Sequence, residues 1–325
     1  YGIRYTGAPV GIEHYISGAA SYQDIIYETN YPGAYMIPVT NTLGNAKRTA
    51  TTFASGFSNG GRGQIVFLGG TAKFANAYLK VCGASTQQDG GGEIILADDG
   101  NVDCGQIPLY SGTTDGPTNG VGITATHDGV ITLAGGTLRT AGFSQAGDPV
   151  KRRNRAVVNF NGGTLLIPNG VSLESTSFDL VVYPKGGTIK TAGTATFGMP
   201  LRAATGWGVK EIVLTNPGAN YVAAPRVVIE GGSGARATGY AVLNRDGTIA
   251  RVAVTCPGEG YRADDQLTVS FVSASPNVTP AAAAVVLAEN TTPTLLIDGA
   301  VDLKGTHAFT GKIRVVSGSP RLNGA

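Results

Sequence analysis

Asp98, Asp99 and Asp103, with Asp128 beside His127, are the residues whose types and spacing come nearest to chemistry in this chain. Carboxylates on one face of stacked strands cleave polysaccharides when two are held roughly 5 to 10 Å apart, and they collect calcium through oxygen ligands. Asp and Glu are scattered so widely here that the pair criterion selects none of them. Asp98-Asp99-Gly100-Asn101 is a turn sequence, and it lacks the Gly-and-Asp spacing of calcium-binding nonapeptide repeats. Arg152 and Arg155 have the charge a lyase needs near a cation, but no neighbouring residue poses them for that role. His14, His127 and His307 lie far apart and show no ligand spacing with cysteine. There is no phosphate loop. Gly231-Gly232-Ser233-Gly234 runs into Ala235-Arg236-Ala237 and reads as a turn. The expectation is a protein without enzymatic activity: no catalytic residue, no cofactor and no metal site.

The elements that would carry these side chains are strands. Glycine supplies 49 of 325 residues and charged residues only 14%, well under the usual quarter. Such a surface is made polar by Thr, Ser, Asn and backbone, which suits long-lived extracellular β-proteins. The net charge of +2 points to no partner class, and Lys151-Arg152-Arg153 with Arg155 reads as a solvated loop. Nucleic-acid binding would need more cationic surface with aromatic residues interleaved. No apolar run approaches the roughly 20 residues that span a bilayer. The chain opens at Tyr1 without Met and stops at Ala325 inside a pattern, so a processed chain or a segment of a longer one is expected.

A Gly-Gly step followed by a β-forming run recurs at Gly69-Gly70-Thr71, Gly91-Gly92-Glu93, Gly135-Gly136-Thr137, Gly162-Gly163-Thr164 and Gly186-Gly187-Thr188. Successive starts differ by 22, 44, 27 and 24 residues, and a step near Gly112-Thr113 would complete a series of about 22. That period, with short β-runs between, predicts a stacked β-solenoid over residues 56–205. Its strands are expected near 64–68, 93–96, 129–133, 156–160 and 178–182, with alternate residues inward and Thr, Asn and Ser outward. Cys82 and Cys104 are one such period apart. Equivalent positions on adjacent turns lie about 4.8 Å apart, within disulfide range, so Cys82–Cys104 is a candidate disulfide, with stacked thiols the alternative. Cys256 has no partner at a matching spacing.

Residues 1–55 hold seven of the thirteen tyrosines and no helical period, and are expected to cap the open end of the stack or bind a partner. Residues 206–288 carry a duplication. Pro217-Gly218-Ala219-Asn220-Tyr221 returns as Pro257-Gly258-Glu259-Gly260-Tyr261, each copy followed by two more β-runs. This reads as a small inserted β-unit, after which solenoid rungs resume over 289–325 and are expected to continue beyond the chain.

Three stretches resemble the autotransporter-associated β-strand repeats of bacterial surface proteins: Val158-Asn159-Phe160-Asn161-Gly162-Gly163-Thr164-Leu165, Leu133-Ala134-Gly135-Gly136-Thr137-Leu138-Arg139, and Phe309-Thr310-Gly311-Lys312-Ile313-Arg314-Val315-Val316-Ser317-Gly318. The last departs at Ser319-Pro320, where the family continues with Thr-Leu. The duplicated Pro-Gly-x-x-Tyr unit is similar to units of large bacterial adhesin-like chains. The resemblance implies a right-handed parallel β-helix exported through the bacterial envelope, whose passengers are adhesins, self-associating proteins and occasionally enzymes. The family's C-terminal translocator barrel has no counterpart in this sequence. The expected function is a non-enzymatic extracellular bacterial surface protein: a stalk, an adhesin or a self-assembling fibre subunit. Its expected partners are other copies of itself, or glycan or protein on a host or surface. The alternatives are a polysaccharide-processing β-helix enzyme and a carbohydrate-binding passenger using residues 206–288.

Overall fold

The computed structural model describes residues 27–28, 35–36, 52–54, 62–74, 78–80, 90–111, 127–146, 155–174, 179–273, 277–305 and 307–323. It is all-β, with no helix among the described residues. Residues 1–50 with 244–246 form one compact unit, in which β1 (Tyr27–Glu28) and β2 (Tyr35–Met36) pair antiparallel. Of the Tyr-rich segment 1–55, only these two strands and residues 52–54 lie among the described residues.

Residues 51–243 with 247–325 form the second unit. Its strands begin with β3 (Thr52–Ala54), β4 (Arg62–Phe67), β5 (Thr71–Phe74), β6 (Tyr78–Lys80), β7 (Gly90–Leu96), β8 (Asn101–Ser111), β9 (His127–Leu133) and β10 (Thr137–Ala146). They continue with β11 (Arg155–Phe160), β12 (Thr164–Ile167), β13 (Ser172–Glu174), β14 (Asp179–Val182), β15 (Gly187–Gly198) and β16 (Leu201–Ala203). Then come β17 (Trp207–Asn216), β18 (Arg226–Gly231), β19 (Thr238–Leu243), β20 (Ile249–Cys256), β21 (Leu267–Val272) and β22 (Ala282–Glu289). The last are β23 (Thr294–Lys304), β24 (Lys312–Ser317) and β25 (Arg321–Asn323).

Two large parallel sheets organise this unit, and β3 pairs with β6 in a third, two-stranded parallel sheet. A six-stranded sheet runs β16-β14-β11-β9-β7-β4, and a nine-stranded sheet runs β24-β23-β15-β12-β10-β8-β5, with β13 beside β15 and β25 beside β23. From β7 to β16 the chain passes back and forth between them, with β12 and β13 both in the second sheet. Alternation of side chains along a strand then stacks like on like. Ile65, Ile94, Ile131, Val158, Leu180 and Leu201 form one inward column of the first sheet. Val102, Leu138, Leu165, Ile189 and Ile297 form one in the second. Both columns belong to a single core with Phe160 and Phe197, and each fully buried aliphatic side chain contributes about 1.5–3 kcal/mol.

The repeat is irregular in length. Thr71, Asn101, Thr137, Thr164 and Thr188 are successive register partners, so no common period of 22 holds. Gly91-Gly92 lies inside β7, opposite Arg62-Gly63. The corner of that rung is Asp98-Asp99-Gly100, where Asp98 itself takes φ 50°, a conformation Asp tolerates better than most residues. Strand β8 pairs directly with β10, and Gly112 itself lies outside the described residues. At the corners that do use Gly-Gly, the requirement is steric. Gly136 has φ 58°, and a Cβ there would sit 2.0 Å from the Gly100 carbonyl oxygen of the rung below.

This register also removes the spacing argument for a Cys82–Cys104 disulfide. Cys104 lies opposite Phe74, while Cys82 is outside the described residues. Cys104 is buried, and its Sγ donates to the Arg139 carbonyl at 3.7 Å.

Strands β17–β22 form sheets of their own. Strand β17 pairs antiparallel with β22, and β20-β19-β18-β21 form an antiparallel sheet. The Pro-Gly-x-x-Tyr copies are matched: Gly218 and Gly258 take φ 64° and 73°, and each precedes a buried tyrosine, Tyr221 or Tyr261. The third strand of each copy pairs with the first strand of the other, giving β17–β22 and β20–β19. The two halves thus hold one another around a shared core of Val209, Ile212, Tyr221, Val227, Ile249 and Tyr261. Strand β23 then joins β15 in parallel, continuing the second sheet on the far side of this unit.

Candidate functional site: the seam under the inserted unit

The outward face of the first parallel sheet carries polar residues at positions where solvent exposure was expected, and the inserted unit covers them. Ile95, Thr132, Asn159, Val181 and Arg202 stack in one outward column. Thr132 and Asn159 are fully buried. Strands β19 and β20 lie over them. Tyr240 packs on Ile95 and Ala97, and its hydroxyl donates to Asp98 Oδ2 at 3.3 Å. Cys256 packs on Val157, Val181, Tyr183 and Ala204.

Between these two apolar contacts runs a polar seam. Gln64 Nε2 donates to Glu93 Oε2 at 2.8 Å and to the Gly239 carbonyl at 3.2 Å. Asn161 Nδ2 donates to the Thr255 carbonyl at 2.8 Å, and the Thr238 and Thr255 hydroxyls pair at 2.8 Å. Arg202, at the edge of the first sheet, binds both oxygens of Glu259 at 2.5 Å, and Arg236 Nη1 donates to Glu259 Oε1 at 3.0 Å. Two acceptors, Glu93 Oε1 and Asn159 Oδ1, are buried with no hydrogen-bond partner.

Burial pushes the Glu93 carboxyl above its ordinary value of 4.5, partly opposed by hydrogen bonds from Gln64 and Thr238 and by the Arg226 charge. A carboxyl raised in the folded state contributes stability that is complete below the ordinary value and is lost as pH rises through the folded one. Glu93→Gln removes the ionisable group and is therefore expected to leave the protein more stable than the wild type at neutral pH, by an amount that grows as pH rises. Thermal melts between about pH 4 and 8 check this. The gap between variant and wild type should widen as pH rises from the acid end; a constant gap would contradict it.

The thiols are quiet. Burial pushes both Cys104 and Cys256 up to about 12, so neither is a thiolate nucleophile near neutral pH. Asp103 is engaged by Arg139, its register partner on the next strand, at 2.7 Å. Asp98 and Asp99 are exposed in the corner after β7. His127 and Asp128 open β9 and Arg155 opens β11, but their side chains, like Arg152 and His14, lie outside what is described. Burial lowers the pKa of the His307 imidazole, and the Lys304 carbonyl acts in the opposite sense. Among the described residues no three His, Cys, Asp or Glu side chains gather as a metal site, and no helix is long and apolar enough to cross a membrane.

Charged groups on the outer face of the second sheet pair across strands. Lys190 Nζ lies 2.8 Å from Asp298, and Ser317 donates to the same carboxylate at 2.5 Å. These two hydrogen bonds hold the Asp298 pKa below the usual range. Such exposed pairs contribute little energy each but favour one register. A groove of about 480 Å³ also opens on this sheet, lined by Thr194, Thr196, Asp302, Ser319 and Arg321 among others.

Sequence patterning does not by itself bring Glu93, Asn159, Arg202, Tyr240 and Glu259 together. One signal is present: Glu259 stands where the first Pro-Gly-x-x-Tyr copy has Ala219, and Glu259 is the residue that bonds Arg202 of the parallel sheet. Compared with protein-family models, curated proteins and solved structures, the chain matches none.

Proposed function

We propose that this chain is a structural β-solenoid, displayed outside a bacterial cell, that lengthens by adding strands at its β24 edge. The observation that carries this reading is the state of the apolar columns there. Leu295 and Ile297 are fully buried, and their register partners Ile313 and Val315 are 42% and 50% exposed. All six residues of β24 are exposed, and among the described residues it has a single sheet neighbour, β23. A strand from another subunit, pairing with β24, would bury Ile313 and Val315 and satisfy a row of backbone groups at once. The alternation between two parallel sheets supports the solenoid, and its right hand is the rule for parallel crossovers. The autotransporter-type repeat resemblance supports the surface location. Cross-strand pairing of Asp103 and Asp298 supports a role for those carboxylates in register rather than catalysis.

Val315→Lys tests the reading, because a charge in the column opposes burial while the exposed site tolerates it. Sedimentation of the wild type is expected to show large assemblies that the variant lacks; assemblies of equal size in both would contradict the proposal. The groove beside Asp302 and Arg321 favours a second reading, in which the rod also holds a glycan through its Thr, Asp and Arg groups.

A further inference from the structure

The inserted unit shows the same surface twice, once covered and once bare. Strands β19 and β20 turn Thr238, Tyr240, Val242 and Ala253 toward the parallel sheet. The two copies are in matching register. Tyr240 lies opposite Ala253 as Ala284 lies opposite Val213, and Val242 lies opposite Arg251 as Val286 lies opposite Glu211. Both ribbons carry their register shifts at the corresponding places. The counterpart face on β22 and β17 is therefore Ala282, Ala284, Val286 and Val213. All four are exposed, Val213 at 42% and Val286 at 39%.

We propose that this bare β17–β22 face packs on the same face of a second copy, about a two-fold axis lying across the strands. Three observations select that occupant. The twin ribbon already accepts a flat β-face, so ribbons of this twist and register suit sheet-on-sheet packing at about 10 Å. The bare face has small side chains and no aromatic anchor in place of Tyr240, so two such faces meet without a pocket on either side. Its centre is uncharged, and an axis across the strands sets the Glu211 end of one ribbon over the Asn216 end of the other, keeping like charges apart. An isologous contact of this kind closes on itself. Two strands cover less than the roughly 800 Å² per partner of a standard interface. The contact is accordingly weak between single molecules and effective between rods that present it many times.

The lateral dimer depends on the proposed rod only for that multiplication, and the two are separated by working in the Val315→Lys background. Sedimentation equilibrium of that protein up to about 1 mM is expected to show a monomer–dimer equilibrium. Adding Val213→Glu or, independently, Ala284→Glu is expected to weaken it at least about tenfold. Both sites are solvent-facing, and an unchanged unfolding midpoint verifies each fold. A strict monomer over the whole range, or dimerisation undiminished by both substitutions, would overturn the proposal.

Discussion

Phe160→Ala is expected to destabilise the second unit by about 3–5 kcal/mol, the cost of deleting a large aromatic side chain from a packed core. Phe160 is fully buried at the centre of the column Leu133–Phe160–Val182. Its ring occupies space that the next corner leaves free, since a Cβ on Gly187 would lie 2.3 Å from Phe160 Cδ1. Because β11 pairs directly with β9 and β14, the damage should spread outward from β11 through those neighbours. Hydrogen exchange checks this: amides of β9, β11 and β14 should lose protection together, while those of β18 and β21 change less. Uniform loss through all strands would mean that the stack and the inserted unit unfold as one block.

Glu259→Ala is expected to cost about 3 kcal/mol, because it removes the carboxylate that joins Arg202 to Arg236 across the seam. Breaking one member of a buried ion pair typically costs about 3–5 kcal/mol. The value here falls at the low end because the Arg202 side chain keeps 30% of its exposure, against 12% for Glu259. The loss should be local to the seam. Amides of β19 and β20 should exchange faster while β12 and β15 stay protected. Combining Glu259→Met with Arg202→Met should recover part of the stability, since an apolar pair removes the desolvation cost. No recovery would place the damage in packing rather than in the lost ion pairs.

The two substitutions also separate what the sequence shows from what it hides. Inward columns are legible because alternation and β-branching repeat at every rung, and strands near Ile94, Ile131, Val158 and Leu180 follow from that pattern alone. Rung length is not legible in the same way. A corner needs a residue that tolerates the left-handed region, and Asp98 meets that need without a Gly-Gly signature, so counting glycines misplaces the register and with it Cys104. The seam was invisible for a different reason. Thr132 and Asn159 obey the outward half of the alternation correctly, but which outward face is covered depends on a unit whose strands lie some 80–120 residues further along the chain. Local patterning carries no information about that contact. Only the replacement of Ala219 by Glu259 between the copies, and of Asn216 by the buried Cys256, records it.

Electron microscopy of the purified chain tests the central claim most directly. Growth through the β24 edge predicts unbranched filaments whose strands lie across the long axis, with an axial repeat of about 4.8 Å between strands. Separate short particles at every concentration, or filaments that persist unchanged in Val315→Lys, would contradict the account.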